Sequence, residues 1–305
     1  MSTSPSAVAP SSPVAPSSPA APSSPTERLG RPTAPSAPPH GALSLFLRLV
    51  VALAIIVPTT VIYVVGALLL LPWRALRIRG GNAYGKVVGR TMQRCTGIVP
   101  EIHHFDRIET SRPAIYVMNH AATIDMWIGM WICPYSGCGT AKKEIVRVPV
   151  FGLAYLVSGH LLLDRGNRER AIASMKKVQS VVERHRLSMF VWPEGTRSRD
   201  GRLHPFKKGF AHLALATGLP IVPIVAHNAD LFWPGGTFTV RPGRLQMEIL
   251  PPLPTTHWTE ERLEDGIAEV EAAFAAALGE RQKPVSSTGA PGGSRPARVA
   301  ATDPC

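Results

Sequence analysis

The 305-residue sequence predicts an α/β fold: a central mixed sheet flanked by helices, preceded by an N-terminal membrane-anchoring helical segment. Three observations carry this reading. Strand-like and helix-like periods alternate through the middle of the chain. An apolar run without a charged residue, Leu49 to Leu71, stands before that alternation. Both ends are rich in Pro, Ser and small residues and hold no apolar pattern that could build a core.

The elements follow in order. Residues 1–40 repeat Ala-Pro-Ser-Ser-Pro, a low-complexity pattern expected to be a disordered tail, and 283–305 have the same character. Residues 41–80 hold the anchor. As a helix at ~1.5 Å per residue, Leu49 to Leu71 reaches about 35 Å, more than the ~30 Å hydrocarbon core of a bilayer. The run starts too far from Met1 and is too long for a signal peptide. A buried helix of a soluble protein seldom runs so far without a polar stripe. Pro58 removes one backbone hydrogen bond, so both a crossing helix and a re-entrant hairpin on one leaflet fit the run. Residues 81–282 suit one compact domain.

Within that domain, Ala114 to Met118 reads as a buried strand and Met126 to Ile132 as a short apolar helix. Leu187 to Phe190 and Leu219 to Val225 are further buried strands, and Leu245 to Leu250 alternates as a strand. Arg168 to Arg186 is helical, with Ile172, Met175, Val178 and Val182 on one face. Lys207 to Thr217 is a helix closed by Gly218. Glu260 to Gln282 carries Leu263, Ile267, Val270, Phe274 and Leu278 on one face, a stripe expected to pack on the sheet.

The net charge is +12. Residues 41–80 contribute +4 through Arg48, Arg74, Arg77 and Arg79. The last three crowd just past the apolar run, which places the C-terminal domain on the cytoplasmic side and the arginines against anionic headgroups. Nucleic acid is not an expected partner, since the chain carries no helix-turn-helix, zinc-finger or RNP-like string. Cys95, Cys133, Cys138 and Cys305 are scattered, without the spacing of a metal site, and read as reduced thiols.

The chemistry concentrates in short blocks. Asn119-His120-Ala121-Ala122-Thr123-Ile124-Asp125 lies at a strand-to-helix corner, where a His and an Asp five apart can face each other. The carboxylate can then fix the imidazole tautomer and stabilise the imidazolium. Taken alone, such a pair is more often that of a hydrogen-bonded structural histidine. Val191-Trp192-Pro193-Glu194-Gly195-Thr196-Arg197-Ser198 follows a second strand, Leu162-Leu163-Asp164-Arg165 closes a third apolar run, and Leu219 to Val225 forms a fourth.

In this order the blocks resemble those of the membrane-bound glycerolipid acyltransferases, the 1-acylglycerol-3-phosphate O-acyltransferase family. The resemblance covers roughly residues 82 to 255, with Trp192 where that family usually has Phe. It implies an α/β fold and an enzyme that transfers a fatty acyl group from acyl-coenzyme A or acyl carrier protein to the free hydroxyl of 1-acylglycerol-3-phosphate. The product is phosphatidic acid, an intermediate of phospholipid biosynthesis. No metal or other cofactor is expected; the acyl thioester is a co-substrate. The expected partners are the bilayer, the lysophospholipid and the acyl donor.

Acyl transfer to an alcohol needs a base, for which His120 is the candidate and Asp125 its orienting partner. The chain has no Gly-x-Ser-x-Gly string, so direct attack by the acceptor hydroxyl is expected rather than a covalent acyl-enzyme. Glu194, Gly195, Thr196 and Arg197 form a turn whose guanidinium, hydroxyl and backbone amides suit a phosphate. A plain Glu194–Arg197 ion pair is the structural alternative there. Arg165 is a second phosphate candidate, against a surface pair with Asp164. Lys142 or Lys143 is expected to help hold the acceptor, and Lys207 to add to the basic pocket or to lie solvated. Two other readings are a transferase for another lysolipid, such as a lyso-aminolipid, and a non-catalytic membrane-anchored protein of the same fold. A phosphatase lacks its paired metal-binding carboxylates.

Overall fold

The computed structural model describes residues 34–148, 151–163 and 168–284. The long terminal tails and Arg165 lie largely or wholly outside these ranges. Two helices come first, α1 (Ala42–Leu69) and α2 (Arg74–Thr96). The domain then alternates β1 (Ile98–His103), α3 (Asp106–Thr110), β2 (Ile115–Met118), α4 (Ile124–Ile132), β3 (Gly137–Lys142), α5 (Phe151–Val157) and β4 (Leu161–Leu163). It continues with α6 (Arg168–His185), β5 (Ser188–Val191), α7 (Gly209–Thr217), β6 (Ile221–Ala226), β7 (Gly243–Ile249) and α8 (Leu263–Ala277).

The seven strands form one mixed sheet in the order β1-β7-β6-β2-β5-β3-β4. All neighbours run parallel except β6 and β7. β2 is central, with Tyr116 opposite Phe190 on one side and Val222 on the other. Its four residues are all buried, which is why an unbroken apolar run codes it: a parallel strand covered on both faces has no polar side. Tyr116 and Met118 pack into a core shared with α2 and α4. Ile115 and Val117 pack into the opposite core, built by Val178 and Val182 of α6, Phe210 of α7 and Phe274 of α8. The predicted stripe of α8 is therefore core, and Gly218 closes α7 in the left-handed region at φ 64°.

The helix of the apolar run starts earlier than the charge-free stretch, at Ala42, and Pro58 sits inside it without ending it. It is long and apolar enough to cross a bilayer by length and composition. It does not stand alone. Arg48 reaches the carbonyl of Cys95 (3.2 Å), Thr60 meets the hydroxyl of Tyr84 (2.9 Å), and Tyr63 stacks on Tyr84 with ring centroids 4.8 Å apart. These contacts make α1 and α2 an antiparallel hairpin. α2 in turn lies on α4, so close that a Cβ on Gly89 would stand 2.3 Å from the carbonyl oxygen of Trp127. One side of α1 is thus covered by protein, while Phe46, Leu53, Val61 and Ile62 on the other side are bare.

Two of the arginines assigned to headgroups have other partners. Arg74 donates to the carbonyl of Gly159 (2.9 Å) and Arg77 to that of Val157 (2.7 Å), pinning the start of α2 to the domain; Arg79 remains exposed. Residues 36–40, read as part of the tail, run beside the domain: Ser36 N–H donates to Pro242 (3.1 Å) and His40 N–H to Val240 (2.9 Å).

Candidate active site

The C-terminal end of β2 and the first turn of α4 bring His120 and Asp125 together. His120 Nδ1 lies 3.0 Å from Asp125 Oδ2, and the same oxygen accepts the backbone N–H groups of Ala121 (2.8 Å) and Ala122 (2.7 Å). An ionised carboxylate only accepts, so Nδ1 carries the ring proton and Nε2 offers a lone pair. Asp125 is fully buried, at the N-terminal turn of a helix, where a negative charge is favoured. Its other oxygen, Oδ1, has no hydrogen-bond partner among the described residues. The carboxylate therefore shapes the loop and orients the imidazole through one atom. Asn119 fixes the strand end below, its amide exchanging two hydrogen bonds with the backbone of Ala226 in β6 (2.7 and 3.0 Å).

Glu194 has a different place from the one its sequence position suggests. Its carboxylate is buried and accepts the N–H of His120 (2.7 Å) and the N–H of His204 (3.2 Å). The Glu194–Arg197 ion pair is not what forms, and Glu194 does not face an open phosphate site. It ties the His120 loop to the 194–204 segment, a tie doubled by Ser198 N–H donating to the carbonyl of His120 (2.8 Å). Burial pushes the Glu194 carboxyl up to about 7, against the lowering effect of the two amides. A carboxyl whose pKa is raised in the fold binds its proton more tightly there, so stability falls as pH rises from about 4.5 to about 7. We expect Glu194→Gln to flatten that part of the stability–pH curve, measured as unfolding midpoints in detergent. It should also cost about 1–3 kcal/mol, because the new NH₂ faces a buried N–H.

Gly195 turns the chain at φ 72°, and a Cβ there would stand 2.7 Å from Lys207 Nζ, so the lysine lies across the glycine. Thr196 and Arg197 are exposed, and Arg197 donates to Thr123 Oγ1 (2.9 Å) in the loop between His120 and Asp125. The cationic groups of Arg197 and Lys207 thus stand on the turn that is bonded to the His120 loop. Lys142 closes β3 opposite Leu163, and its side chain, like all of Arg165, lies outside what the structure describes.

A residue without a role in the sequence reading links the imidazole to a cavity. The ring of Trp192 lies against that of His120, centroids 5.1 Å apart, and also lines a cavity of about 370 Å³. Met126, Trp127 and Met130 of α4, Phe190, and Tyr84 of α2 form much of its wall, and Tyr63 of α1 reaches it as well. Such a volume falls in the ~300–1,000 Å³ range of ligand pockets. The sequence did hold one signal for it: Gly85, Gly129 and Gly139 in the wall remove side chains where helices and sheet face each other.

Imidazole, cationic turn and, through the Trp192 ring, apolar cavity come together at His120. A family model described as Acyltransferase matches residues 99–227. The chain is 42% identical over 241 residues to a 1-acyl-sn-glycerol-3-phosphate acyltransferase of Limnanthes douglasii, covering 79% of this chain and 85% of that one. It is 41% identical over 231 residues to the enzyme of that name from Cocos nucifera, covering 76% and 74%. With the one from Escherichia coli it shares 30% over 210 residues, covering 68% and 84%. The crystal structure of the 1-acyl-sn-glycerophosphate acyltransferase PlsC from Thermotoga maritima has the same fold, with a TM-score of 0.62 at 22% identity over 75% of this chain and 91% of that one. The chain is an acyltransferase and belongs to the 1-acylglycerol-3-phosphate O-acyltransferase family.

Proposed function

We propose that the chain esterifies the free hydroxyl of 1-acylglycerol-3-phosphate with a fatty acyl group from an acyl thioester, giving phosphatidic acid. The observation that carries this is the position of His120, with Nε2 available, against Trp192 of the apolar cavity's wall and bonded to the turn that bears Arg197, across which Lys207 lies. The names of the relatives supply the acceptor. Nε2 takes the hydroxyl proton as the acceptor oxygen attacks the thioester carbonyl carbon. The C–O bond forms, the tetrahedral intermediate collapses with cleavage of the C–S bond, and the imidazolium returns its proton to the leaving thiolate. Asp125 stabilises the imidazolium between those steps. The cavity takes an acyl chain, and Arg197, Thr196 and Lys207 take the acceptor phosphate. The donor is acyl-coenzyme A or acyl carrier protein, both acidic and suited to a basic surface.

The hairpin supports attachment to one leaflet rather than a crossing. If α1 spanned a bilayer, the antiparallel α2 would be drawn in with Arg79, Lys86, Arg90 and Arg94, at ~2.5–3.5 kcal/mol for each basic side chain near the centre. Lying on the surface, α1 buries its bare side in lipid while α2 stays on protein. Excess basic charge favours the cytoplasmic leaflet.

Membranes carrying the protein, given labelled acyl thioester and a panel of lysolipids, should label phosphatidate first; preferential labelling of a lyso-aminolipid would replace the acceptor assigned here. Arg197→Ala should lower kcat/KM for lysophosphatidate by about ten- to a hundredfold, the size of a charge-assisted contact, and change an unphosphorylated lysolipid far less. Equal loss on both acceptors would assign Arg197 to holding Thr123 instead.

A further inference from the structure

The segment between β6 and β7 ends in a bare aromatic ring. Phe238 is 79% exposed, more than any other large apolar side chain among the described residues. The loop that carries it is braced. Arg241 N–H donates to Phe232 at its base (2.8 Å), and Trp233 Nε1 donates to the carbonyl of Thr237 across its interior (2.9 Å). Phe232 and Trp233 are themselves buried, so the base of the loop is tied to the core while the Phe238 ring faces solvent.

One flank of this loop meets the active site. Thr123 N–H donates to the carbonyl of Trp233 (3.0 Å), and a Cβ on Gly235 would stand 3.6 Å from Cδ of Arg197. The other flank meets the root of α1, where His40 N–H donates to the carbonyl of Val240 (2.9 Å). α1 starts two residues later, with Leu43 71% and Phe46 62% exposed. Arg48 and Arg94 are exposed at the same end of the hairpin. Phe238 is thus carried by a loop tied at one end to the His120 loop and at the other to the root of α1, whose own apolar side is bare.

We propose that Phe238 inserts into the same anionic lipid leaflet as α1, so that its braced loop sets the Arg197 turn at the height of the acceptor's phosphate. A bare ring on a loop that touches Arg197 and is tied to the root of α1, near which Arg48 is exposed, combines the apolar and basic groups of a surface that meets headgroups above and acyl chains below. The inference rests on the acyltransferase reading, but its physical part is testable without turnover.

Two readouts test it on the full-length chain. In a background with Cys95 and Cys305 replaced by Ser, Phe238→Cys labelled with an environment-sensitive dye should shift to the blue on mixing with phosphatidylglycerol-containing vesicles. Lipids carrying a quencher in the acyl chain should quench it. An unshifted, unquenched dye overturns the proposal whether or not the protein is active. In kinetics, Phe238→Ser should raise KM about tenfold for long-chain lysophosphatidate in vesicles, with kcat kept. It should leave a short-chain, monomerically dissolved lysophosphatidate within about twofold, and Phe238→Trp should restore the vesicle value. Unchanged vesicle kinetics, or equal loss on both acceptors, would contradict it.

Discussion

Replacing His120 with Ala should lower acyl transfer by ~10²–10⁴-fold, the range associated with loss of a general base. The reason is local. Nδ1 is committed to Asp125 at 3.0 Å, so Nε2 is the nitrogen free to take the acceptor's proton, and an alcohol is a poor nucleophile while protonated. The side chain is 16% exposed and fills no deep core position, so the variant should fold and stay with the membrane. Transfer rates normalised to membrane-bound protein make the comparison. A variant with near-normal rates would remove His120 from the reaction.

Substitutions of Asp125 should divide sharply by type. All three of its hydrogen bonds end on Oδ2: one from His120 and two from the amides of Ala121 and Ala122. In Asp125→Asn the two backbone amides select the orientation with the carbonyl oxygen in that place, so the imidazole keeps its tautomer. What disappears is the negative charge opposite the imidazolium, a loss of about ten- to a hundredfold in kcat from a charge-assisted bond. Asp125→Ala removes every acceptor, leaves two buried N–H groups unpaired at about 1–3 kcal/mol each, and releases the ring. Its turnover should fall further than that of Asp125→Asn, toward that of His120→Ala, and its unfolding midpoint should drop. Turnover and midpoints of the two variants, measured together, check the division. An Asn variant as inactive as the Ala one would show that the amide had flipped and reversed the tautomer.

What the sequence made legible was local. The β2–loop–α4 corner could be read because an unbroken apolar strand, a short apolar helix and the His–Asp spacing all lie within a few residues. Strands β2, β5, β6 and β7 were legible as unbroken or alternating apolar runs and α8 through its apolar stripe, while β1, with Pro100 inside it, and β3, with Gly137 and Gly139, show no such run. Glu194 was assigned to the wrong kind of contact for a physical reason: its partners are the backbone amides of residues 120 and 204, and backbone groups carry no identity in a sequence. The α1–α2 hairpin was hidden similarly. The apolar run showed a helix able to enter lipid, but its packing depends on Thr60, Tyr63 and Tyr84, which look ordinary one at a time. Arg74 and Arg77 read as headgroup ligands because the carbonyls that hold them belong to residues about eighty positions away.

The central claim is that the acyl group passes directly from thioester to lipid hydroxyl under base catalysis by His120. Purified protein in vesicles, mixed with a labelled acyl thioester and no acceptor, should acquire no acyl label. Addition of 1-acylglycerol-3-phosphate should then release the label as phosphatidic acid, and do so far more slowly with His120→Ala. Label that first accumulates on the protein and is chased from it into lipid would contradict the account.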